Sequence, residues 1–455
     1  METAKTINTE NKKTLIPKGK VYIETYGCQM NFSDSEIAKS ILVKNNYQLT
    51  ENINEADTIL INTCSIRENA EQRIFKKVEN IKYLKNNNSE LKIGILGCMT
   101  EHLKSKIFEL NSEIDFLAGP DSYRNLHNII DSSKENKSKA LDIELDINET
   151  YDDIIPLHSE SSISAFISIM RGCDNFCSYC VVPYTRGRER SRSPETILKE
   201  IKILINQGIK EITLLGQNVN SYKWKNHSGY ILSFPSLLEK IANETPELRI
   251  RFSTSHPKDI SRELIEVMAK KDNICKHIHL AVQSGSSRIL KLMNRKYSRE
   301  SFLEKIEMAK QLIPDIGLTT DIITGFCTET EDDHKETLSL MKDVKFDWAF
   351  MFAYSERSGT VAAKNLDDNI DNKKKKQRLK EIIELQSKHS LESNKKDIGK
   401  TFEILVEGFS KKSDKMLKGR NSQNKMIVFP AKNFAKGDLI KVKITDCTSA
   451  TLIGE

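Results

Sequence analysis

Between residues 20 and 130 the chain alternates short apolar runs with longer stretches of helical periodicity. The runs "KVYIETYGC", "DTILINTC" and "KIGILGC" are rich in strand-forming residues and end on Cys28, Cys64 and Cys98. Each is followed by a segment with apolar residues on one helical face: "SDSEIAKSILVKN", "RENAEQRIFKKVENIKYLK" and "TEHLKSKIFEL". Such strand–helix repeats build an open parallel sheet, and ligands bind at the carboxyl ends of its strands. The cysteines stand 36 and 34 residues apart at equivalent points of the repeat, so they should converge on that edge.

The pattern predicts three domains of α/β and β character. An open parallel-sheet domain spans 20–135, and the polar, acidic stretch 136–160 reads as a linker. Over 161–390 the alternation resumes. "AFISIM", "EITLLGQN", "RIRFSTSHP", "HIHLAVQSG", "GLTTDIITGF" and "WAFMFAYS" are strands between amphipathic helices, which predicts a partial (β/α) barrel. In "SPETILKEIKILINQG", Ser193 is the expected N-cap, Pro194 the first helical residue and Gly208 the terminator. Beyond a charged helix, "KTFEILVEGF", "MLKGRN", "KMIVFP" and "DLIKVKITDCTSATLIGE" are short strands with turn residues between them, predicting a small β-barrel over 393–455.

Composition narrows the class. A chain of 455 residues with 38% hydrophobic and 29% charged residues can build several soluble cores. No apolar run approaches the roughly 18 residues of a membrane span, and the first twenty residues read as a frayed tail with no signal-peptide core. Nine cysteines in such a chain point to metal or redox chemistry in the cytoplasm rather than to disulfides. From residue 393 onward 13 Lys and Arg face 7 Asp and Glu, a surplus equal to the whole chain's +6. That basic terminal module fits nucleic acid, although a solvated lysine-rich face gives the same count.

Cys173, Cys177 and Cys180 form C-x3-C-x2-C directly after "AFISIM", with Gly172 easing the turn. Three thiolates this close can ligate three corners of an iron–sulfur cube and leave one iron open. Zinc would need a fourth ligand, and His158, His256 and Cys275 lack motif spacing. A zinc-stabilised RNA-binding protein without redox chemistry stays open as a reading of another class.

The cluster motif with its aromatic at Tyr179 resembles the radical S-adenosylmethionine superfamily. "ETYGCQMN", "NTCSIRENAEQR", "ILGCMTE", "LLGQNVNSY", "HLAVQSGS" and "TDIITGF", with the TRAM-like "MLKGRNSQNKMIVF", are similar to its methylthiotransferase family. The resemblance covers roughly residues 20 to 455. It implies a methylthiotransferase domain, a radical S-adenosylmethionine domain and a TRAM-like RNA-binding domain. It also implies two [4Fe-4S] clusters, one on Cys173, Cys177 and Cys180, and an auxiliary one on Cys28, Cys64 and Cys98. The open iron of the first would chelate S-adenosylmethionine, which is cleaved to a 5′-deoxyadenosyl radical. Tyr179, Gln217, Gln283 and Ser284, with Gly325, would line the S-adenosylmethionine site.

The phrases around the cysteines most resemble the branch that methylthiolates C2 of N6-isopentenyladenosine beside the anticodon of tRNA. Siblings act on threonylcarbamoyl-adenosine or on an aspartate of a ribosomal protein. The implied partners are that tRNA and an electron donor such as a flavodoxin or ferredoxin, with no membrane and a monomeric chain. The chain departs from the family pattern at Ala281, at Cys327 and Thr328, where Pro-Gly is expected, and at Glu356, Ser358 and Val361.

Arg186, Arg188, Arg190 and Arg192 alternate just past the cluster loop, and at strand spacing they would share one face. They suit RNA phosphates or the S-adenosylmethionine carboxylate, or else are neutralised structurally. Lys418 and Arg420 are the RNA-binding candidates of the third domain. Lys373 to Lys376 read as a solvated helix face, and Cys275, Cys327 and Cys447 as ordinary thiols. No acid or base residue stands out as catalytic.

Overall fold

The structure is a computed structural model that describes residues 17–64, 68–135, 139–159 and 161–455. The expected N-terminal tail and part of the "TCSIRENAEQR" phrase lie outside those residues. The first domain is a six-stranded parallel sheet. Its order is Gln48–Leu49, Lys20–Thr25, Thr58–Asn62, Lys92–Leu96, Phe116–Ala118 and Ala140–Asp142. Thr58–Asn62 and Lys92–Leu96 are buried along their whole length, because helices cover both faces. Gly94 is needed there: a Cβ would stand 2.2 Å from the Phe116 ring.

The expected linker is in part structural. Ala140–Asp142 pairs with Phe116–Ala118 as the edge strand, and Tyr151 and Ile154 are buried in the first domain's core. Three residues in a polar context carry too little periodicity to announce a strand.

The second domain is a partial barrel. Ser164–Ser168, Glu211–Leu215 and Arg249–Ser253 form one parallel three-stranded sheet; His277–His279, Gly317–Thr324 and Trp348–Ala353 form another. Parallel bridges Ile250–Ile274 and Ser255–Leu280 join the halves, leaving the outer strands as open edges. The residues facing outward, such as Ile167, Leu214, Ile250, Ile278 and Leu318, meet the surrounding helices in one large core. The helix Pro194–Asn206 starts and stops where its sequence says, with Ser193 as N-cap and Gly208 just beyond its end at φ +89°.

The third domain is a closed barrel of Thr401–Ser410, Ser413–Arg420, Met426–Pro430, Leu452–Gly454 and Leu439–Cys447 around Ile404, Leu417, Phe429 and Val442. It docks on the amino-terminal end of the barrel strands. Arg251 Nη2 donates to the Asn421 carbonyl at 2.7 Å, and Arg249 Nη2 to the Arg420 carbonyl at 3.2 Å. Gly317 opens its strand without a side chain because a Cβ would meet the Gln423 carbonyl at 2.5 Å. No helix among the described residues is long and apolar enough to cross a membrane.

Lys375 departs from the expected solvated face. It is buried, paired with Asp368 and set 5.2 Å over the Tyr354 ring. Thr328, which stands where the family pattern has glycine, adopts φ 61°. A left-handed conformation costs a non-glycine residue about 1–2 kcal/mol. Thr328→Gly should therefore raise stability by about 1 kcal/mol, seen as a higher denaturant midpoint.

Candidate active site

The first cysteine trio is assembled by tight turns at adjacent strand ends. Gly27, at φ +113°, lies so close to the second strand end that a Cβ would be 2.7 Å from Cys64 Cβ. Gly97, at φ +92°, would meet Asn62 Oδ1 at 2.5 Å. Asn31 and Asn62 lock two of these ends together. Asn62 Nδ2 donates to the Asn31 carbonyl at 2.8 Å, Asn31 Nδ2 to Asn62 Oδ1 at 3.2 Å, and Asn31 Oδ1 accepts from Cys28 Sγ at 3.1 Å. Both asparagines sit beside ligand candidates in the sequence, yet only the fold reveals their pairing.

The three thiols perturb one another. Contact with Cys64, helped by the Arg186 guanidinium, draws Cys28 down to about 6 despite its burial. Contact with Cys64 likewise brings Cys98 down to about 7, again with help from Arg186. Cys64, between Cys28 and Cys98, is held well above the usual thiol range by its contacts with both. Two thiols poised near neutrality are ready to release protons to a metal.

The second trio lies in the loop between the strand Ser164–Ser168 and the short helix Val182–Thr185. Gly172 has φ +75°, and a Cβ there would be 2.0 Å from the Arg188 carbonyl. The loop is held from across the barrel mouth. Ser178 N donates to the Met293 carbonyl at 3.0 Å, and Asn294 Nδ2 to the Phe176 carbonyl at 2.9 Å. Arg295 Nη1 donates to Cys177 Sγ at 3.3 Å, while its Nε bonds Tyr297 Oη at 2.9 Å and its Nη2 the Ala281 carbonyl. The Ala281 departure thus leaves a carbonyl that holds Arg295. Burial pushes Cys173 up to about 11 and Cys180 higher still, so ligation here must displace protons.

Around this loop, Gln217 Oε1, Asn220 Oδ1 and Gln283 Oε1 are buried without a partner among the described residues. Buried polar atoms of that kind mark a place for a polar ligand. Gln283 is further set apart by φ 70°. Tyr179 packs edge-on to Phe326, ring centres 6.4 Å apart. Ser284 is engaged within the fold instead: its Oγ accepts from Ser286 N at 3.2 Å and lies 3.4 Å from Thr337 Oγ1. Gly325 lets Lys375 in, since a Cβ would be 2.5 Å from Lys375 Cγ.

The arginines do not share one exposed face. Arg186 pairs with Asp34 at 2.7 Å and donates from Nε to Cys98 Sγ at 3.1 Å. Arg190 pairs with Asp121 at 2.8 Å, and Arg192 with Glu200 at 2.8 Å and Asp152 at 3.1 Å. All three are buried, which takes Arg186 and Arg190 away from RNA. The short helix and the turn at Gly187 break the strand spacing that would have aligned them. Only Arg188 is open, 60% exposed, beside Asp174 and over the Phe176 ring. In the third domain Lys418 is half-buried, and the Arg420 guanidinium is taken by both oxygens of Glu407.

These contacts join two domains. Arg171, which precedes the second trio, pairs with Asp34 of the first domain at 2.8 Å and stacks over Tyr151 at 4.9 Å. His102 Nε2, four residues past Cys98, lies 3.2 Å from Ser358 Oγ of the barrel. The two trios therefore flank one seam. Cys275 stays at the barrel floor near Arg249, Cys327 is buried beside Tyr354, and Cys447 sits in the third domain. His158 lies against Glu36 and His256 against Tyr297. No three His, Cys, Asp or Glu side chains among the described residues close around a single metal ion.

Three stretches match known families: residues 20–119 an uncharacterized protein family, UPF0004; 167–341 the Radical SAM superfamily; and 395–455 the TRAM domain. The tRNA-2-methylthio-N(6)-dimethylallyladenosine synthase of Parabacteroides distasonis is 52% identical over 99% of both chains. The chain belongs to that synthase family. Synthases of the same name from Bacteroides fragilis and Chloroherpeton thalassium are each 53% identical over 96% of this chain, covering 95% and 96% of theirs. In fold, the radical S-adenosylmethionine methyltransferase TsrM from Kitasatospora setae superposes with a TM-score of 0.57 at 11% identity, over 76% of this chain and 74% of its own. The cobalamin-dependent S-adenosylmethionine radical enzyme OxsB gives 0.53 at 15% identity, over 82% and 56%. The family membership extends through all three domains, which argues against a zinc-stabilised binding protein.

Proposed function

We propose that this chain methylthiolates C2 of N6-isopentenyladenosine beside the anticodon of tRNA, with S-adenosylmethionine as both radical source and methyl donor. The observation that carries this reading is the seam between two domains that each carry a thiol trio, where Arg186 of the second domain reaches Asp34 and Cys98 of the first. Family membership supports the substrate, and the TRAM match supports an RNA partner.

In this reading Cys173, Cys177 and Cys180 hold one [4Fe-4S] cluster, and Cys28, Cys64 and Cys98 hold the other. The donor chemistry fits: each trio consists of three free thiols, which would ligate three irons of a cube and leave the fourth iron open. Bound there, the clusters supply low-potential electrons and a sulfur-carrying iron, and S-adenosylmethionine supplies the hydrogen-abstracting and methyl groups.

The protein's part is placement. Gln217 and Gln283 offer unpartnered amide oxygens to the S-adenosylmethionine ammonium, and Tyr179 offers a ring face to its adenine. Arg295 fixes the Cys177 sulfur. Arg188 and Lys418 present charge to tRNA phosphates. An anticodon loop splays its bases, so the target reaches the seam without duplex opening. A flavodoxin or ferredoxin would deliver electrons to a monomeric enzyme in the cytoplasm, where tRNA and reduced thiols are found.

The test is the tRNA modification profile of a strain lacking this protein, read by mass spectrometry. We expect the methylthio form to vanish and N6-isopentenyladenosine to accumulate, with both reversed on complementation. An unchanged methylthio-isopentenyl signal would overturn the assignment; loss of methylthio-threonylcarbamoyl-adenosine would move it to the sibling substrate.

A further inference from the structure

The strand Trp348–Ala353 is the last of the barrel and has a neighbouring strand on one side only. Side chains alternate between the two faces of a strand. Ala349 and Met351 turn outward into the helix-covered core, so Trp348, Phe350 and Phe352 turn inward, toward the lumen. Phe350 is fixed there edge-on to His279, ring centres 5.9 Å apart. Yet Phe350 is 51% exposed and Trp348 43%. Single exposed rings are ordinary, but a row of them along one concave wall marks a binding surface.

Trp348 is the member of this row that no internal contact explains. Its indole has no ring contact or hydrogen bond among the described residues. Its chain neighbour Asp347 is tied to the third domain, with Lys425 Nζ 3.3 Å from the carboxylate. Strand register sets Trp348 beside Thr319 and Phe350 beside Asp321. Thr319 Oγ1 lies 2.9 Å from His277 Nε2 and 3.0 Å from His279 Nδ1, and Asp321 Oδ2 lies 3.3 Å from His279 Nε2. Flat apolar rings thus run beside a column of hydrogen-bonding groups, the combination that grips unstacked bases. The row starts at the third domain and leads along the open edge of the barrel to its mouth.

We propose that Trp348 is a stacking platform for a nucleobase of the tRNA loop, a neighbour of the base that is modified. This rests on the reading that tRNA is the substrate. Trp348 stands five residues before Ala353, the mouth end of its strand, a rise of about 16 Å. A base lying on the indole is therefore not the one presented at the mouth. The adenine of S-adenosylmethionine, assigned to Tyr179 in the mouth loop, is equally out of reach. A folded protein surface does not fit an inward-facing row, whereas a base splayed from a loop does. Holding that neighbour keeps the loop open while the target base enters the lumen.

The chain has two tryptophans, so Trp224→Phe leaves Trp348 as the sole indole. The full-length, anaerobically reconstituted enzyme is titrated with an anticodon stem-loop RNA carrying N6-isopentenyladenosine, and indole fluorescence is followed. Filter retention of the same RNA gives the affinity independently. No retention by wild type would defeat the tRNA reading itself, separately from the role of Trp348. We expect quenching as the RNA binds, with Trp348→Ala weakening affinity by about tenfold and Trp348→Phe by less. Loop bases are then removed one at a time as abasic nucleotides. At one position other than the modified adenosine, removal should weaken wild type by about tenfold and Trp348→Ala hardly at all, because the stacking partner is already gone. Thermal melts check that Trp348→Ala is folded; if it is not, Trp348→Leu carries the same comparison.

Unquenched fluorescence alongside tight RNA binding would overturn the proposal. So would equal losses in wild type and variant at every abasic position, which would make the tryptophan merely structural. Coupling confined to the modified adenosine would overturn it in favour of the target base, and quenching that requires the isopentenyl group in favour of that side chain. Quenching by S-adenosylmethionine alone would overturn it in favour of the cofactor.

Discussion

Replacing Cys177 with alanine should abolish cleavage of S-adenosylmethionine to 5′-deoxyadenosine while leaving tRNA affinity within about twofold. Cys177 is buried in the barrel-mouth loop, and its sulfur is held by Arg295. Loss of a ligand itself should exceed the roughly 10–100-fold cost of disturbing a group that merely orients one. Iron should fall from about eight to about four per chain, since each [4Fe-4S] cube needs its own thiolates. RNA affinity should survive because phosphate contacts dominate it, and the third domain docks at the opposite end of the barrel strands. Cys64→Ala should do the converse, preserving 5′-deoxyadenosine formation and eliminating the methylthio product. Anaerobic assay of both variants, with iron analysis, checks the pair. Continued 5′-deoxyadenosine formation by Cys177→Ala would contradict the division of labour between the trios.

Much of this arrangement is legible in the chain. The strand ends that carry Cys28, Cys64 and Cys98 follow β-rich runs whose spacing reports a parallel sheet, and the sheet brings them together. The barrel strands are equally plain because their outward faces must be apolar. The arginines are harder, since alternating charge near a cluster loop looks like a basic rim. Their partners are remote: Asp34 lies 137 residues from Arg171, and Asp121 lies 69 from Arg190. No local pattern encodes such pairs, and burial turned a candidate RNA surface into an interdomain lock. Lys375 escaped for a similar reason. A run of four lysines reads as solvated, and only the absent side chain at Gly325 admits one of them to the interior.

Asp34 is where that lock should fail most completely. It is fully buried, and its two oxygens take Arg171 at 2.8 Å and Arg186 at 2.7 Å. Asp34→Ala would strand two guanidiniums in a dry seam, and breaking a buried pair from one side costs about 3–5 kcal/mol. The first thermal transition should drop by several degrees, and protease should open the seam between the first two domains. Asp34→Asn should cost less, because an amide oxygen still accepts one hydrogen bond.

The pH response separates charge from shape. Burial alone would raise the Asp34 carboxyl, but Arg171 and Arg186 outweigh it and hold it below the usual carboxylate range. Its contribution is therefore complete above the unfolded value of about 4 and is lost as pH falls through the lower folded value. Wild type should lose stability across that acid window, and Asp34→Asn should lose less there, as compared by thermal melts from about pH 6 downward. Equal melts for wild type and Asp34→Ala at neutral pH would mean that the seam is held elsewhere. The same variant should also reduce methylthio product more than it reduces 5′-deoxyadenosine, because a loosened seam separates the trios while leaving the barrel loop to its own contacts with Met293 and Asn294.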